Sequence, residues 1–82
     1  SLLAEHDRCA EAAEHWERLR VFDAWHEGAT LGLMRALVEL GHPSQALQVY
    51  VDWVAVLDRD LGVTPSTEAT TLYESVLATA YL

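Results

Sequence analysis

A His-Asp-x-Cys run near the amino terminus is the part of this sequence that most resembles a set of metal ligands. His6, Asp7 and Cys9 bring imidazole, carboxylate and thiol groups together within four positions. A structural zinc site uses four ligands, usually in two paired clusters, and Cys9 is the single cysteine of the 82 residues. We therefore expect no metal and no cofactor here. The run predicts a junction between two helices with an ordinary buried thiol.

The hydroxyl and imidazole groups do not follow the pattern of a nucleophilic active site. Such a site needs a base within hydrogen-bond reach of the nucleophile and a third group that orients the base. Ser44, Ser66 and Ser75 fall at helix starts or at outward helical positions. His26 lies on the apolar side of its predicted helix, which favours a hydrogen-bonded core histidine. The sequence therefore predicts no catalytic residue and no enzyme activity.

Two glycines four residues apart, Gly28 and Gly32, resemble a phosphate-binding loop only superficially. No strand precedes them, and no Gly-Lys-Ser or Gly-Lys-Thr sequence follows them, although a phosphate-binding loop requires both. Ala29 and Ala36 lie beside them. This group of small residues predicts that a neighbouring helix approaches closely.

The charge of the chain argues against direct nucleic-acid contact. Thirteen acidic residues stand against five arginines and no lysine, and the formal net charge is −8, whereas phosphate-binding surfaces need clustered Lys and Arg. A helix-turn-helix over residues 24–60 would carry Asp52, Asp58 and Asp60 but only Arg59 in its second helix. The acidic surface instead suits a basic partner, with an attraction that weakens as salt rises.

Length and composition limit the chain to one small domain. Hydrophobic residues make up 51 % of the sequence, so the composition is not that of a disordered segment. No apolar stretch reaches the roughly 18 residues of a membrane helix. A single thiol fits a reducing compartment. We expect a cytoplasmic piece of a longer protein that makes no membrane contact.

Helical periodicity separated by turn residues organises the whole sequence. Residues 1 to about 6 are predicted as the tail of one helix, followed by helices over about 9–22, 24–40 and 44–60 and by a last helix that ends at about Tyr81. Asp23 is the expected N-cap of the second of these four. Gly41 and Gly62 are expected to end helices. Pro43 suits a first helical turn, and Thr64 or Ser66 is expected to cap the last helix.

Residues 44–60 fit two patterns. Apolar residues alternate from Val49 to Leu57, and four valines favour a strand. A strand of this length would far exceed the usual five or six residues. A helical wheel instead gathers the apolar residues on a little over half of its circumference: Ala46, Leu47, Val49, Tyr50, Trp53, Val54, Val56, Leu57 and Leu61. We predict a helix.

A shift of 34 residues, the period of tetratricopeptide repeats, superposes similar residues. The shift places Leu3 on Leu37, Ala12 on Ala46, Trp16 on Tyr50 and Leu19 on Trp53. It also places His6-Asp7 on Leu40-Gly41, where a turn between helices is expected. A small residue where helices cross and an aromatic one turn later suit stacked helix pairs, so we predict a helical repeat.

These features resemble the bacterial transcriptional activator domain of Streptomyces antibiotic regulatory protein-type regulators. The similarity extends from about Ala10 to Leu77. It rests on Leu33-Met34-Arg35-Ala36-Leu37, Gly41, Ala46-Leu47 with Tyr50, the turn Leu61-Gly62-Val63-Thr64-Pro65-Ser66, Glu68 and Leu72-Tyr73-Glu74. Ala24 and Thr67 depart from the family, because proline is common at both positions.

The resemblance implies an all-α fold of tetratricopeptide-like antiparallel helix pairs with a C-terminal closing helix. Residues 1–82 would form the C-terminal part of the domain, as a fragment of a longer protein. The implied function is that of a non-catalytic protein–protein interaction module in a transcriptional regulator, with DNA binding in another domain. A regulatory helical-repeat arm of an NTPase-type signalling protein and a purely structural spacer remain open as alternatives.

Five residues are candidates for contact with a protein partner or a second subunit. Val51 and Ala55 project from the polar side of a broadly apolar helix, and Trp25 lies at the margin of an apolar stripe. Met34 and Tyr50 complete the set. The same residues would also suit contacts with other parts of the parent protein, and the sequence leaves both interpretations open.

Overall fold

The computed structural model describes the backbone of residues 2–81 and the side chains of residues 7–81, and four helices dominate it. They are α1 (Leu2–Phe22), α2 (Glu27–Glu39), α3 (Pro43–Leu61) and α4 (Thr67–Tyr81). Within residues 2–81 there is no β-strand. The all-α prediction is confirmed, including the helical assignment of residues 44–60.

The helices pack in chain order. α1 packs on α2, α2 on α3 and α3 on α4, while α2 also touches α4. Short connections at residues 23–26, 40–42 and 62–66 keep consecutive helices adjacent in space. The result is a flat stack with principal extents of 43 × 32 × 17 Å. Stacking of neighbours along the chain is the arrangement of a helical repeat.

The predicted ends of α2 and α3 are confirmed. Gly41 and Gly62 both have positive φ, 83° and 64°, a conformation that ends helices and favours glycine. Pro43 lies in the first turn of α3. Ser66 caps α4, because its Oγ accepts a hydrogen bond from the Ala69 N–H at 3.1 Å.

The predicted junction at His6-Asp7 is wrong, because α1 runs through it without a break. Residues 2–22 contain no glycine or proline, so nothing stops the helix there. The 34-residue shift aligned this point with Gly41, but only Gly41 belongs to a turn. The Cys9 thiol is half-buried and free rather than fully buried.

The predicted start of α2 is also wrong. Asp23 does not cap the helix; its carboxylate accepts a hydrogen bond from the Trp25 N–H at 3.1 Å within the loop. The N-cap is His26, whose Nδ1 accepts from the Ala29 N–H at 2.9 Å. His26 is therefore hydrogen-bonded, as expected, but it is exposed and is not a core histidine.

The core is centred on α2 and joins all four helices. Close approach is confirmed at Gly32, where an added Cβ would lie 2.5 Å from Cε2 of Trp16 on α1. It is wrong for Gly28, where the nearest atoms belong to the ring of His26 in the preceding loop. The buried apolar residues are Ala13, Ala29, Leu31, Leu33, Met34, Ala36, Leu37, Ala46, Leu47, Trp53, Leu57, Ala69 and Val76.

Candidate partner-binding surface

A row of aromatic side chains links the loop after α1 to α3 and α4. The Trp25 indole N–H donates a hydrogen bond to Asp60 Oδ2 at 3.0 Å. The Trp53 indole N–H donates to the Trp25 carbonyl oxygen at 3.3 Å. Tyr50 lies 6.1 Å from Trp53 between ring centroids and stacks on Tyr73 at 4.2 Å. These contacts hold Trp25 in a defined position against α3.

The five predicted contact residues do not form one surface. Trp25, 48 % exposed, and the half-buried Tyr50 belong to the aromatic row. Val51, also 48 % exposed, and the exposed Ala55 lie two residues on either side of Trp53 and therefore on the opposite side of α3. Met34 has an exposed fraction of 0 %, so it contributes to the core and offers no surface to a partner.

Asp60 carries the strongest electrostatic perturbation at the aromatic row. Its pKa falls from an ordinary value of 3.8 to about 2, because hydrogen bonds from Arg59 and then Trp25 stabilise the carboxylate. Arg59 Nε donates to Asp60 Oδ1 at 2.8 Å. The same hydrogen bond and the charge of Asp60 raise the pKa of Arg59. The carboxylate therefore fixes the Trp25 indole while it is ionised.

Two strongly exposed apolar residues were not among the contact residues predicted from the sequence. Val21 is 89 % and Phe22 is 92 % exposed at the end of α1. We call Val21, Phe22 and Trp25 the corner patch, since they lie within five positions where the chain turns from α1 towards α2. The signal was present in the periodicity: Val21 follows Glu14 by seven residues, or about two helical turns, and so lies on the polar side of an amphipathic helix.

Arg20 lies on α1 behind the corner patch, within electrostatic range of α3. Burial lowers the pKa of its guanidinium, against the opposing effects of Asp52 on α3 and Glu17 on its own helix. Its buried Nε has no hydrogen-bond partner among the described side chains. The charges of Asp52 and Glu17 thus favour the protonated guanidinium that burial disfavours.

A trough follows α2 between α1 and α4. Its α1 side encloses about 450 Å³ and is lined by Cys9, Trp16 and Gly32, among others. Its α4 side is lined by Leu72 and Val76, and Arg35 lines both sides. The apolar residues named here are buried or half-buried, since they pack on one another. The apolar residues named in the trough are therefore more covered than Val21 and Phe22 of the corner patch.

The described residues show no arrangement for metal chemistry or membrane insertion. No three His, Cys, Asp or Glu side chains converge on a common point among residues 7–81, and the side chain of His6 lies outside the described residues. None of the helices described is long and apolar enough to cross a membrane.

Comparison with known proteins identifies the family. Residues 1–77 match the family model of the bacterial transcriptional activator domain, which is a transcription-regulator domain and not a known catalytic family. A search of curated proteins and a search of solved structures each found no match. Because the family match covers nearly the whole sequence, the chain belongs to the bacterial transcriptional activator domain family.

Proposed function

We propose that this chain is a non-catalytic protein-interaction module of a transcriptional regulator. Residues 1–82 form the C-terminal part of the activator domain of a longer, cytoplasmic protein, and DNA binding resides in another domain of that protein. The module contacts a second subunit or a protein partner. The family match supports the regulatory role, and the net charge of −8 supports the assignment of DNA binding to another part of the regulator.

The corner patch is the observation that carries this proposal. Val21 and Phe22 are almost fully exposed, although burial of such a side chain is worth about 1.5–3 kcal/mol. Adjacent exposed apolar side chains at a helix end mark an interaction site more often than scattered single ones do. Unlike the apolar residues that line the trough, Val21 and Phe22 remain almost fully exposed, and a partner could cover them.

Trp25 is the residue of the patch that is best prepared for binding. Its indole N–H is held by Asp60 and its carbonyl oxygen by Trp53, so little side-chain freedom remains to be lost on association. Tryptophan is enriched among residues that dominate interface energies. Tyr50 supports this position through Trp53, while Val51 and Ala55 form a second, separate candidate face on α3.

The test compares transcription by the full-length regulator with that of surface variants. We expect Val21→Ser/Phe22→Ser to reduce reporter transcription at least fivefold, while an electrophoretic mobility shift assay shows unchanged DNA binding. The matched control is Val63→Ser/Tyr81→Ser, which removes one valine and one aromatic residue that are also exposed but lie outside the patch. This control should retain transcription.

Two outcomes would contradict the proposal. We call Val21→Ser/Phe22→Ser the corner variant. Transcription at the wild-type level by this variant would show that the patch is not the partner surface. An equal loss in the control variant would show that replacing any exposed apolar side chains by serine has this effect. Trp25→Ala, tested in the same reporter with circular dichroism as a check of folding, should reproduce the loss of the corner variant.

A further inference from the structure

One exposed stripe runs along α1 from residue 7 to residue 21 and ends at the corner patch. Its members follow one another at alternating intervals of four and three residues, which places them on one face of a helix and is the spacing of a seam between paired helices. All of them are exposed. This α1 outer stripe consists of Asp7, Glu11, Glu14, Arg18 and Val21, with Phe22 beside Val21.

The first half of the α1 outer stripe is acidic and its end is apolar. Asp7, Glu11 and Glu14 carry its charge, and Arg18 is the one cation among its members. The ion pairs of the described side chains join Arg35 to Glu68 and Arg59 to Asp60, so neither neutralises a carboxylate of the stripe. The negative charge of these three carboxylates can therefore attract a cationic partner.

A shallow depression lies where the acidic and apolar parts of the stripe meet. Glu14, Glu17, Arg18 and Val21 line it, and its volume is about 380 Å³. That volume admits an apolar side chain against Val21 while carboxylates lie within reach of a flanking cation. The depression thus combines apolar contact with negative charge at one point.

We propose that the α1 outer stripe docks a basic amphipathic helix of another protein. Lys or Arg side chains of that helix lie opposite Asp7, Glu11 and Glu14, and its apolar residues cover Val21 and Phe22. The stripe spans about 21 Å from residue 7 to residue 21 at 1.5 Å per residue, which corresponds to about four turns of the partner. This inference rests on the proposed function and names the chemistry of the partner.

Charge and backbone geometry favour this occupant over two others. A second copy of the chain has the same net charge of −8, and pairing two acidic stripes would bring like charges together at a cost. An extended peptide needs an open sheet edge for its backbone hydrogen bonds, and α1 offers side chains only. A helix recognises such a stripe through its side chains.

Fluorescence anisotropy with a labelled synthetic peptide tests the proposal on the 82-residue chain. The probe is a Leu/Ala/Lys helix of about four turns, with lysines flanking a leucine seam. We expect Glu11→Gln/Glu14→Gln to weaken its binding about tenfold at low salt, given losses of about three- to fivefold for each carboxylate. The control Asp58→Asn/Glu74→Gln removes the same charge from exposed positions elsewhere and should change binding less than twofold.

Two further measurements use the same probe. Val21→Ser/Phe22→Ser should also weaken binding at least fivefold, and that loss should persist at high salt because it is apolar in origin. A probe in which every lysine is replaced by glutamate should not bind. Circular dichroism checks that the variants remain folded, as expected for exposed positions.

Several results would overturn the proposal. The first is that the lysine probe does not bind the wild-type chain. The second is that Glu11→Gln/Glu14→Gln and Asp58→Asn/Glu74→Gln weaken probe binding equally. The third is a dimer in sedimentation that Val21→Ser/Phe22→Ser abolishes, which would make a second copy the occupant. If Glu11→Gln/Glu14→Gln binds the probe normally while Val21→Ser/Phe22→Ser still loses transcription, the proposal of a basic helix as the partner is wrong and the proposed interaction function stands. Normal transcription by the corner variant contradicts the interaction function itself.

Discussion

Gly32 is the residue at which α1 and α2 approach most closely. A methyl group there would lie 2.5 to 2.8 Å from three atoms of the Trp16 indole, well inside van der Waals contact. The indole is rigid and lies half-buried against the core, so relief of the clash requires a shift of the indole or of α1. The position therefore requires glycine even though glycine weakens a helix interior.

Replacement of Gly32 by alanine is expected to destabilise the fold. The gain in helix propensity is about 1 kcal/mol, whereas overpacking costs about 1–3 kcal/mol, so we expect the free energy of unfolding to fall by about 1 kcal/mol. Urea unfolding followed by circular dichroism measures this change. Gly28→Ala is the control, since its Cβ would lie 3.0 Å from the exposed His26 ring and not against the core, and it should cost less than Gly32→Ala. A more stable Gly32→Ala protein would show that the indole is free to move.

Asp60 gives the chain a pH-dependent contribution to stability. Its pKa of about 2 in the folded protein is below its ordinary value of 3.8. The folded state therefore binds fewer protons in this range, and the stabilisation that is present above about pH 4 is lost as the pH falls towards 2. The lost interactions are the hydrogen bonds from Arg59 and Trp25.

Asp60→Asn isolates this contribution. The variant keeps an oxygen acceptor for the Trp25 indole but cannot be ionised, so it should be less stable than the wild type at pH 7. The difference should shrink between pH 4 and pH 2 in urea unfolding experiments. Asp58→Asn, which removes a carboxylate without a side-chain hydrogen bond among the described residues, should show no comparable trend. A constant difference for Asp60→Asn across this range would contradict the assignment.

At the scale of the helices, Ser66 determines where α4 begins. Its Oγ accepts from the Ala69 N–H and so satisfies one of the donors that a helix start leaves free. Ser66→Ala should lower the free energy of unfolding by about 1 kcal/mol, and Ser66→Asp should restore it. Thermal unfolding provides the measurement. Ser75→Ala, at an exposed position within α4, is the matched control; an equal loss there would mean that the cap contributes nothing.

The element boundaries that could be predicted are those marked by special residues. Gly41, Pro43, Gly62 and Ser66 each dictate a local conformation, so the ends of α2 and α3 and the start of α4 followed from the sequence. The break predicted at His6-Asp7 had no such residue and rested on the 34-residue shift alone. Local chemistry predicted boundaries here better than repeat symmetry did.

The candidate surface was only partly predictable for a different reason. A helical wheel gives the side of a helix on which a residue lies but not the number of neighbours that cover that side. Met34 was assigned to a surface, but α2 lies at the centre of the stack and buries it. Phe22 was treated as a helix end, but nothing covers it in the described structure. Both differences depend on tertiary packing, which the pattern of one helix does not contain.

At the scale of the whole molecule, the flat stack separates residues that fold the domain from residues available to a partner. α2 has neighbours on several sides, whereas α1 is packed on α2 alone. Within the described residues, the side chains on the outer side of α1 are exposed, and they comprise the α1 outer stripe together with Val21 and Phe22 of the corner patch. Changes on that side should alter binding without altering folding.

Two variants test this separation in opposite directions. Val21→Ser/Phe22→Ser removes almost fully exposed side chains and should change the free energy of unfolding by no more than about 0.5 kcal/mol, while partner contact is lost. Met34→Ala opens a cavity in the core and should cost about 2–5 kcal/mol, a large part of the stability of a domain this small. Urea unfolding and the transcription reporter together measure both effects.

Met34→Leu completes this prediction, because it preserves side-chain volume in the core. Such a swap usually costs less than about 1.5 kcal/mol, so the variant should fold and should activate transcription like the wild type. If Met34→Leu remained folded but lost transcription, Met34 would be a contact residue after all, and the core would have to open when the partner binds. Retained transcription would show instead that Met34 influences binding only through the fold.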